Sequence, residues 1–382
     1  MRSLILAAAA FLLLPAAASA ACPPDTASID AARKTMLALP IGDGMQTDVS
    51  LAAQAAIAKM KDALAAFVVS TMECTDGNTT DAAIKQKLSA AAHTAITGAA
   101  DEYNYGSAVS FAVSHQHKPA RDDLLVVTAS FQIECGEDTI LMLFASDDTG
   151  WREVMRLQSA PYKTVAGGWG SFDYAISPPD ASGNWFVAAK SILPWCSSTW
   201  SEIHYEAFRP TADVQKPDQI LAGSDSIWFG GDDVGRLKVG VNYLDLRFHA
   251  ESMDPEVHNR EWIRAYRFDG DKPMRMPPFA LNAADFADEW VRLVWADARL
   301  LTSPTEMRGL KAEHETVHKA AYFSYRSVRL CTGDDIQVEV TPVDDEGAPH
   351  TFFLVQGPRP QYFRMKGVSS HADPRCTGIN SY

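Results

Sequence analysis

Within the middle of the chain, from residue 101 to residue 282, several stretches alternate apolar and polar residues with a period of two. The alternation is strict in residues 127–134, 202–207 and 244–249. Successive side chains of a β-strand point to opposite faces of a sheet, so this period predicts strands with one buried face. Clusters of aspartate, glycine and proline separate the runs and are typical of turns. We therefore expect an all-β central domain, an antiparallel meander that is either propeller-like or a twisted body of several sheets.

The region from residue 21 to residue 100 has a helical pattern instead. Its apolar residues recur at intervals of three and four, as in Ile57, Met60, Leu64, Phe67 and Val68. That spacing places them on one side of a helix, which we expect from about residue 50 to 72. Thr80 and Asp81 offer a cap for a second helix. We therefore expect an N-terminal helical segment over residues 21–100.

The C-terminal part, residues 283–382, combines both periods. A helical period runs from about residue 283 to 318, and four short runs typical of strands follow, near residues 321–331, 335–341, 350–355 and 361–368. Helices followed by a small antiparallel sheet predict an α+β module. The expected fold class is thus mainly β with α+β parts.

Residues 1–20 have the three parts of a secretory signal peptide. A basic start at Arg2 precedes an apolar stretch from Leu4 to Leu14, and small residues end at Ala20, after which we expect cleavage. Cys22 follows directly and raises the alternative of a bacterial lipoprotein anchor. Because no other segment reaches the roughly 18 apolar residues of a membrane span, we expect a soluble periplasmic or secreted protein with no transmembrane segment.

The six cysteines indicate disulfide bonds, since an even number in an exported chain is typical of them. The order of the segments suggests three pairs: Cys22 with Cys74, Cys135 with Cys196, and Cys331 with Cys376. None of the cysteines forms a C-x-x-C motif, so a thioredoxin-type redox site has no support.

The chain is acidic, with 34 basic and 48 acidic residues and a formal net charge of −14. An acidic surface repels phosphate backbones and anionic lipids. We therefore expect no nucleic-acid partner.

Residues 314–318 read H-E-T-V-H, a match to the H-E-x-x-H pattern of zincin metallopeptidases. Two histidines four apart on a helix share one face and could hold zinc, with Glu315 polarising a bound water. The resemblance covers five residues, and neither the usual extension nor a well-placed third ligand follows. His314 and His318 are therefore candidate zinc ligands, and the alternative is a chance match at a polar helix end.

Four residues at predicted strand ends place aromatic rings beside hydroxyl groups and a carboxylate: Trp195, Trp200, Asp225 and Trp228. Flat rings stack on the apolar faces of sugars, while short polar groups bind sugar hydroxyls. Core packing of the tryptophans is the alternative.

A second candidate set surrounds the loop of residues 250–257, where His249, His258 and Arg260 could contact a ligand or act as acid and base. A solvated loop is the alternative. The sequence has no G-x-S-x-G nucleophile motif and no glycine-rich phosphate loop.

These observations favour an exported, non-catalytic envelope or secreted protein that binds a glycan, a peptide or an envelope component. The alternative is a secreted hydrolase, either a zinc metallopeptidase that uses residues 314–318 or a glycan hydrolase. We expect no cofactor apart from zinc in the peptidase alternative.

Overall fold

The computed structural model describes residues 26–40, 47–92, 105–116, 124–147, 150–194, 200–228, 235–257, 259–269, 272–320, 322–343 and 349–379. Four antiparallel sheets, a helical N-terminal part and a C-terminal α+β module make up these residues. The expected fold class is confirmed.

The N-terminal part contains three helices, α1 (Ala27–Leu37), α2 (Leu51–Glu73) and α3 (Asp81–Ala92). Helix α2 begins after Ser50, whose hydroxyl accepts a hydrogen bond from the backbone N–H of Ala53 at 3.1 Å. All five residues of the predicted apolar stripe are buried. The predicted positions of both helices are confirmed to within a few residues.

Three meanders of four strands follow, and in each the strands are neighbours in chain order. Sheet 1 contains β1 (Val109–His115), β2 (Leu124–Ile133), β3 (Gly136–Asp147) and β4 (Gly150–Gln158). Sheet 2 contains β5 (Ser171–Ile176), β6 (Val187–Ile192), β7 (Trp200–Arg209) and β8 (Asp218–Trp228). Sheet 3 contains β9 (Arg236–Gly240), β10 (Tyr243–Glu251), β11 (Asn259–Arg267) and β12 (Met274–Arg275). The predicted antiparallel meander is confirmed.

The C-terminal module contains helices α4 (Ala283–Arg292), α5 (Trp295–Ala298) and α6 (Leu310–Val317). Sheet 4 follows with β13 (Phe323–Leu330), β14 (Asp335–Pro342), β15 (Thr351–Gln356), β16 (Arg364–Ser369) and β17 (Gly378–Ile379). The helical period predicted from 283 to 318 is divided into these three helices. Pro304 lies in the longest break, where its ring and missing N–H oppose a continuous helix.

Apolar cores join these layers. One core lies between helices α1 to α3 and sheet 1, a second between sheets 1 and 2, and a third between sheets 2 and 3. Helices α4 to α6 pack on sheet 4 around a fourth core. No helix of the described residues is long and apolar enough to cross a membrane.

The disulfide predicted between Cys331 and Cys376 is confirmed, and it ties the end of β13 to the segment before β17. Cys74 and Cys135 are also disulfide-bonded. Their predicted partners, Cys22 and Cys196, lie outside the described residues.

We expect the double variant Cys331→Ala/Cys376→Ala to lose about 4 kcal/mol of its free energy of unfolding, because the bond closes a long loop. The two cysteines are 45 residues apart in sequence. Urea denaturation followed by circular dichroism measures the loss. An unchanged midpoint and slope would contradict the prediction.

Candidate ligand-binding cleft

Strand β8 of sheet 2, strand β11 of sheet 3 and helix α4 meet around a cleft of about 860 Å³. Its walls carry aromatic, acidic, basic and hydroxyl side chains. Among them are Trp200, Trp262, Glu202, Asp225, Glu289, Arg264, Arg292, His318, Ser201, Ser224 and Ser226. This mixture is typical of sites that bind polar organic molecules.

Arg264 of β11 joins the three elements at the back of the cleft. Its Nε and Nη2 each donate to one carboxylate oxygen of Asp225 on β8, both at 2.7 Å. Its Nη1 donates to Glu289 on α4 at 2.9 Å. A bidentate guanidinium–carboxylate pair has a fixed geometry, so Arg264 sets the position of sheet 2 and α4 relative to sheet 3.

The buried carboxylate of Glu289 also accepts hydrogen bonds from two further arginines. Arg275 donates to it at 3.0 Å and Arg260 at 3.1 Å. Burial acts to raise the pKa of Glu289, but Arg264, Arg275 and Arg260 outweigh it and hold that pKa well below the ordinary value. Glu289 is therefore ionised throughout the physiological range.

Asp288, the neighbour of Glu289, continues the network. Arg260 donates to its carboxylate at 2.9 Å and Arg292 at 2.8 Å. Asp288 and Glu289 are both buried on α4. Two adjacent acids on the buried side of a helix are stable only with such partners.

Trp262 lies among the same arginines. The guanidinium groups of Arg260 and Arg264 lie 4.4 Å and 4.5 Å from the centre of its ring. These distances are typical of cation–π contacts. The indole is therefore held firmly as a wall of the cleft.

The outer face of the β7–β8 hairpin forms a second wall, which we call the tryptophan platform. Trp200 on β7 and Trp228 on β8 are directly opposite each other in the register, and the next pair on that face is Glu202 with Ser226. Side chains that are opposite in an antiparallel pair share one face, with Cβ atoms about 4.5–5.5 Å apart. Trp228 is 37 % exposed, so the platform is open to solvent at this end of the hairpin.

The structure therefore brings together part of the first predicted set. Trp200 and Trp228 pair on the platform, and neither is buried in a core. Asp225 is opposite Ile203 and so faces the other side of the sheet, toward Arg264. Trp195 lies outside the described residues.

The second predicted set is divided between two faces of sheet 3. Arg260 is opposite Ala250 and points to the buried acids of α4, whereas His249 is opposite Glu261 on the other face. His258 lies outside the described residues. Arg260 does not line the cleft, but it donates a hydrogen bond to Glu289, which does.

His314 and His318 both bind the last turn of α4. Nε2 of His314 lies 3.1 Å from the carbonyl oxygen of Trp290, and Nδ1 of His318 lies 2.7 Å from that of Val291. Each ring nitrogen donates to a carbonyl that the helix end leaves without an N–H partner. Burial lowers the pKa of His314. The two histidines therefore join α6 to α4.

Glu315, the third residue of the zinc hypothesis, points away from this contact. Its carboxylate lies 3.6 Å from the ammonium of Lys311, and both side chains are exposed. No group of three candidate metal ligands occurs among the described residues.

Asp225 and Arg260 are candidates from the sequence, but the other charged residues behind the cleft are not; these are Arg264, Asp288, Glu289, Arg275 and Arg292. The available signal was the alternation of Arg260, Trp262 and Arg264 on one face of a strand, together with acids at 288 and 289 between the buried Phe286 and Trp290. Charges at positions that periodicity assigns to the interior indicate an ion-pair network.

Comparisons with known proteins identify no family. No family model and no curated protein match the chain. Two solved structures of an α-L-arabinofuranosidase from Fusarium graminearum, each in complex with an iminosugar inhibitor, are distantly similar. One, a mutant, has a TM-score of 0.27 and 11 % identity, covering 65 % of this chain and 63 % of that chain. The other has a TM-score of 0.25 and 10 % identity, covering 68 % and 66 %.

The chain thus spans just under two thirds of the length of that enzyme. A likeness of this degree carries no argument about activity.

Proposed function

We propose that the protein is an exported, non-catalytic binding protein that holds a glycan on the tryptophan platform. The observation that carries the proposal is the register of β7 and β8, which sets Trp200 opposite Trp228 beside a cleft of about 860 Å³. Export rests on the signal-like residues 1–20 of the sequence.

The chemistry of the platform suits a sugar chain. Two neighbouring indoles offer flat apolar area for the carbon faces of sugar rings. Glu202 accepts hydrogen bonds from hydroxyl groups, and Ser224 and Ser226 both donate and accept them. Trp262, which also lines the cleft, is already fixed by its contacts with Arg260 and Arg264, so little side-chain entropy is lost there on binding.

The partners of two carboxylates of the cleft, Glu289 and Asp225, support binding without cleavage. A glycan hydrolase needs one carboxylic acid that is protonated at working pH and a second that is ionised. Glu289 is held ionised by three arginines, and Asp225 accepts two hydrogen bonds from one guanidinium. Both carboxylates therefore bind the arginines that hold β8, β11 and α4 together.

Glycan hydrolysis is the second candidate function, because three carboxylates, those of Glu202, Asp225 and Glu289, line the same cleft. Incubation of the purified protein with the glycans it binds, followed by a reducing-end assay, distinguishes the two. Release of sugars by the wild type, abolished in Glu202→Gln, would replace the binding proposal with hydrolysis.

A glycan array followed by calorimetry tests the binding proposal. We expect Trp200→Ala and Trp228→Ala each to weaken binding about tenfold, because each removes one stacking surface. Tyr362→Ala is the matched control, since Tyr362 is an exposed aromatic residue in the C-terminal module, with 63 % of its surface accessible. Unchanged affinity in both tryptophan variants would reject the platform as the site.

A further inference from the structure

We propose that the glycan held on the tryptophan platform carries protonated amino groups, and that Glu202 pairs with an ammonium group of the bound sugar. This inference rests on the proposed function and names the class of its ligand. It follows from the charges of the cleft and from the position of Glu202.

The acidic residues of the cleft differ in their partners. Asp225 and Glu289 are both neutralised by buried arginines, as described above. Among the residues that the structure describes, the ion-pair partner of Glu202 is His204, 3.2 Å away, and 47 % of the Glu202 side chain is exposed. Glu202 is therefore the cleft carboxylate with negative charge available to a ligand.

The basic residues of the cleft offer no comparable positive charge. Arg264 is shared between Asp225 and Glu289, and Arg292 lies beside Asp288 at 2.8 Å and Glu251 at 3.6 Å. An acidic sugar would meet guanidinium groups that carboxylates already occupy, together with the open carboxylate of Glu202. The cleft therefore disfavours acidic glycans and favours cationic ones.

The tryptophans strengthen this preference. The face of an indole ring attracts a cation through its quadrupole, most strongly among the aromatic side chains. Glu202 lies two residues along β7 from Trp200, a distance of about 6.6 Å along a strand. An amino group on a sugar stacked on Trp200 and Trp228 can therefore contact both an indole face and the carboxylate of Glu202.

The charge of the whole chain acts in the same direction. With a formal net charge of −14, the protein raises the local concentration of cationic ligands and repels anionic ones. The effect weakens as salt screens it.

Calorimetry with three defined probes tests the inference: chitosan oligosaccharides, their N-acetylated counterparts and oligogalacturonates, at a pH where the chitosan amino groups are protonated. We expect the wild type to bind chitosan about tenfold more tightly than the N-acetylated probe, and oligogalacturonate most weakly. Added salt should reduce the preference.

The Glu202→Gln variant should lose this preference, so that it binds chitosan and the N-acetylated probe with similar affinity. Glu306→Gln is the matched control, because it removes the same charge from an exposed position outside the described lining of the cleft.

Equal binding of chitosan and its N-acetylated form, unaffected by Glu202→Gln, would overturn the inference while the platform proposal stands. A preference for oligogalacturonate would overturn it as well. Failure of all three probes would count against the inference, and the proposed function would then be judged by the glycan array and the tryptophan variants.

Discussion

The Glu289→Gln variant is expected to lose about 3–5 kcal/mol of its free energy of unfolding, because it leaves buried arginines without their shared counter-ion. Arg264, Arg260 and Arg275 all donate to this one carboxylate, and Glu289 is 1 % exposed. Glutamine keeps the shape of the side chain but removes the charge. Guanidinium chloride denaturation, or urea denaturation to avoid screening by salt, measures the loss.

The stability difference between the wild type and Glu289→Gln should decrease as the pH falls. The pKa of Glu289 is depressed in the folded protein, so its carboxylate stabilises the fold above the ordinary value of 4.5, and this contribution falls as the pH drops below that value. The difference between wild type and variant should therefore be largest near neutral pH and narrow under acid conditions.

A matched control, Glu261, lies on β11, the strand that carries Arg260 and Arg264. Glu261 pairs with Arg236 at 2.6 Å, and that arginine is largely exposed. Glu261→Gln should cost less than about 1 kcal/mol, as is usual for ion pairs near the surface. Equal stability of Glu289→Gln and Glu261→Gln would show that the ion pairs of Glu289 do not stabilise the packing of α4 against sheet 3.

Asp138→Asn is expected to produce a loss of similar size, about 3–5 kcal/mol, at the other end of the molecule. Asp138 on β3 is fully buried and lies 2.8 Å from the ammonium of Lys61 on α2, which is also buried. The same carboxylate accepts hydrogen bonds from the hydroxyls of Ser159 and Tyr162 and from the backbone N–H of Trp169. It therefore joins α2 to sheet 1 and to the segment that leads into sheet 2.

A double variant distinguishes the loss of the Lys61–Asp138 ion pair from the loss of the hydrogen bonds that Asp138 accepts. Lys61→Met/Asp138→Asn removes the unpaired ammonium as well, so it should be more stable than Asp138→Asn alone. Thermal and urea denaturation of the wild type, both single variants and the double variant complete the cycle. Independent, additive effects of the two substitutions would show that Lys61 and Asp138 do not act as a pair.

Most helices and strands of the fold can be predicted from the sequence, because the period of the apolar residues shows which face of a helix or strand is buried. The stripe from Ile57 to Val68 and the alternation in residues 127–134 each depend on neighbours within one element. The division of residues 283–318 was missed, because the apolar spacing continues through the turn at Pro304.

The cleft could be predicted only in part, because its parts are distant in sequence. Trp200 and Trp228 are candidates from the sequence, but the sequence does not show that they lie opposite each other. That pairing depends on the register of the β7–β8 hairpin, which the apolar–polar alternation alone does not determine. Arg264 is 39 residues from Asp225 and 25 from Glu289, so nothing local indicates that the three meet.

Successive side chains of β8, an edge strand, point to opposite faces of sheet 2, so the two faces of this one strand have different roles. Asp225 faces the arginine network, whereas Ser224 and Ser226 face the platform. Side chains on the platform can therefore be exchanged without disturbing the ion pairs that hold the layers together. Under the proposed function, a library that varies Glu202, Ser224 and Ser226 should yield folded proteins that differ in the glycans they bind, and the hairpin would then be a starting point for engineering sugar-binding proteins.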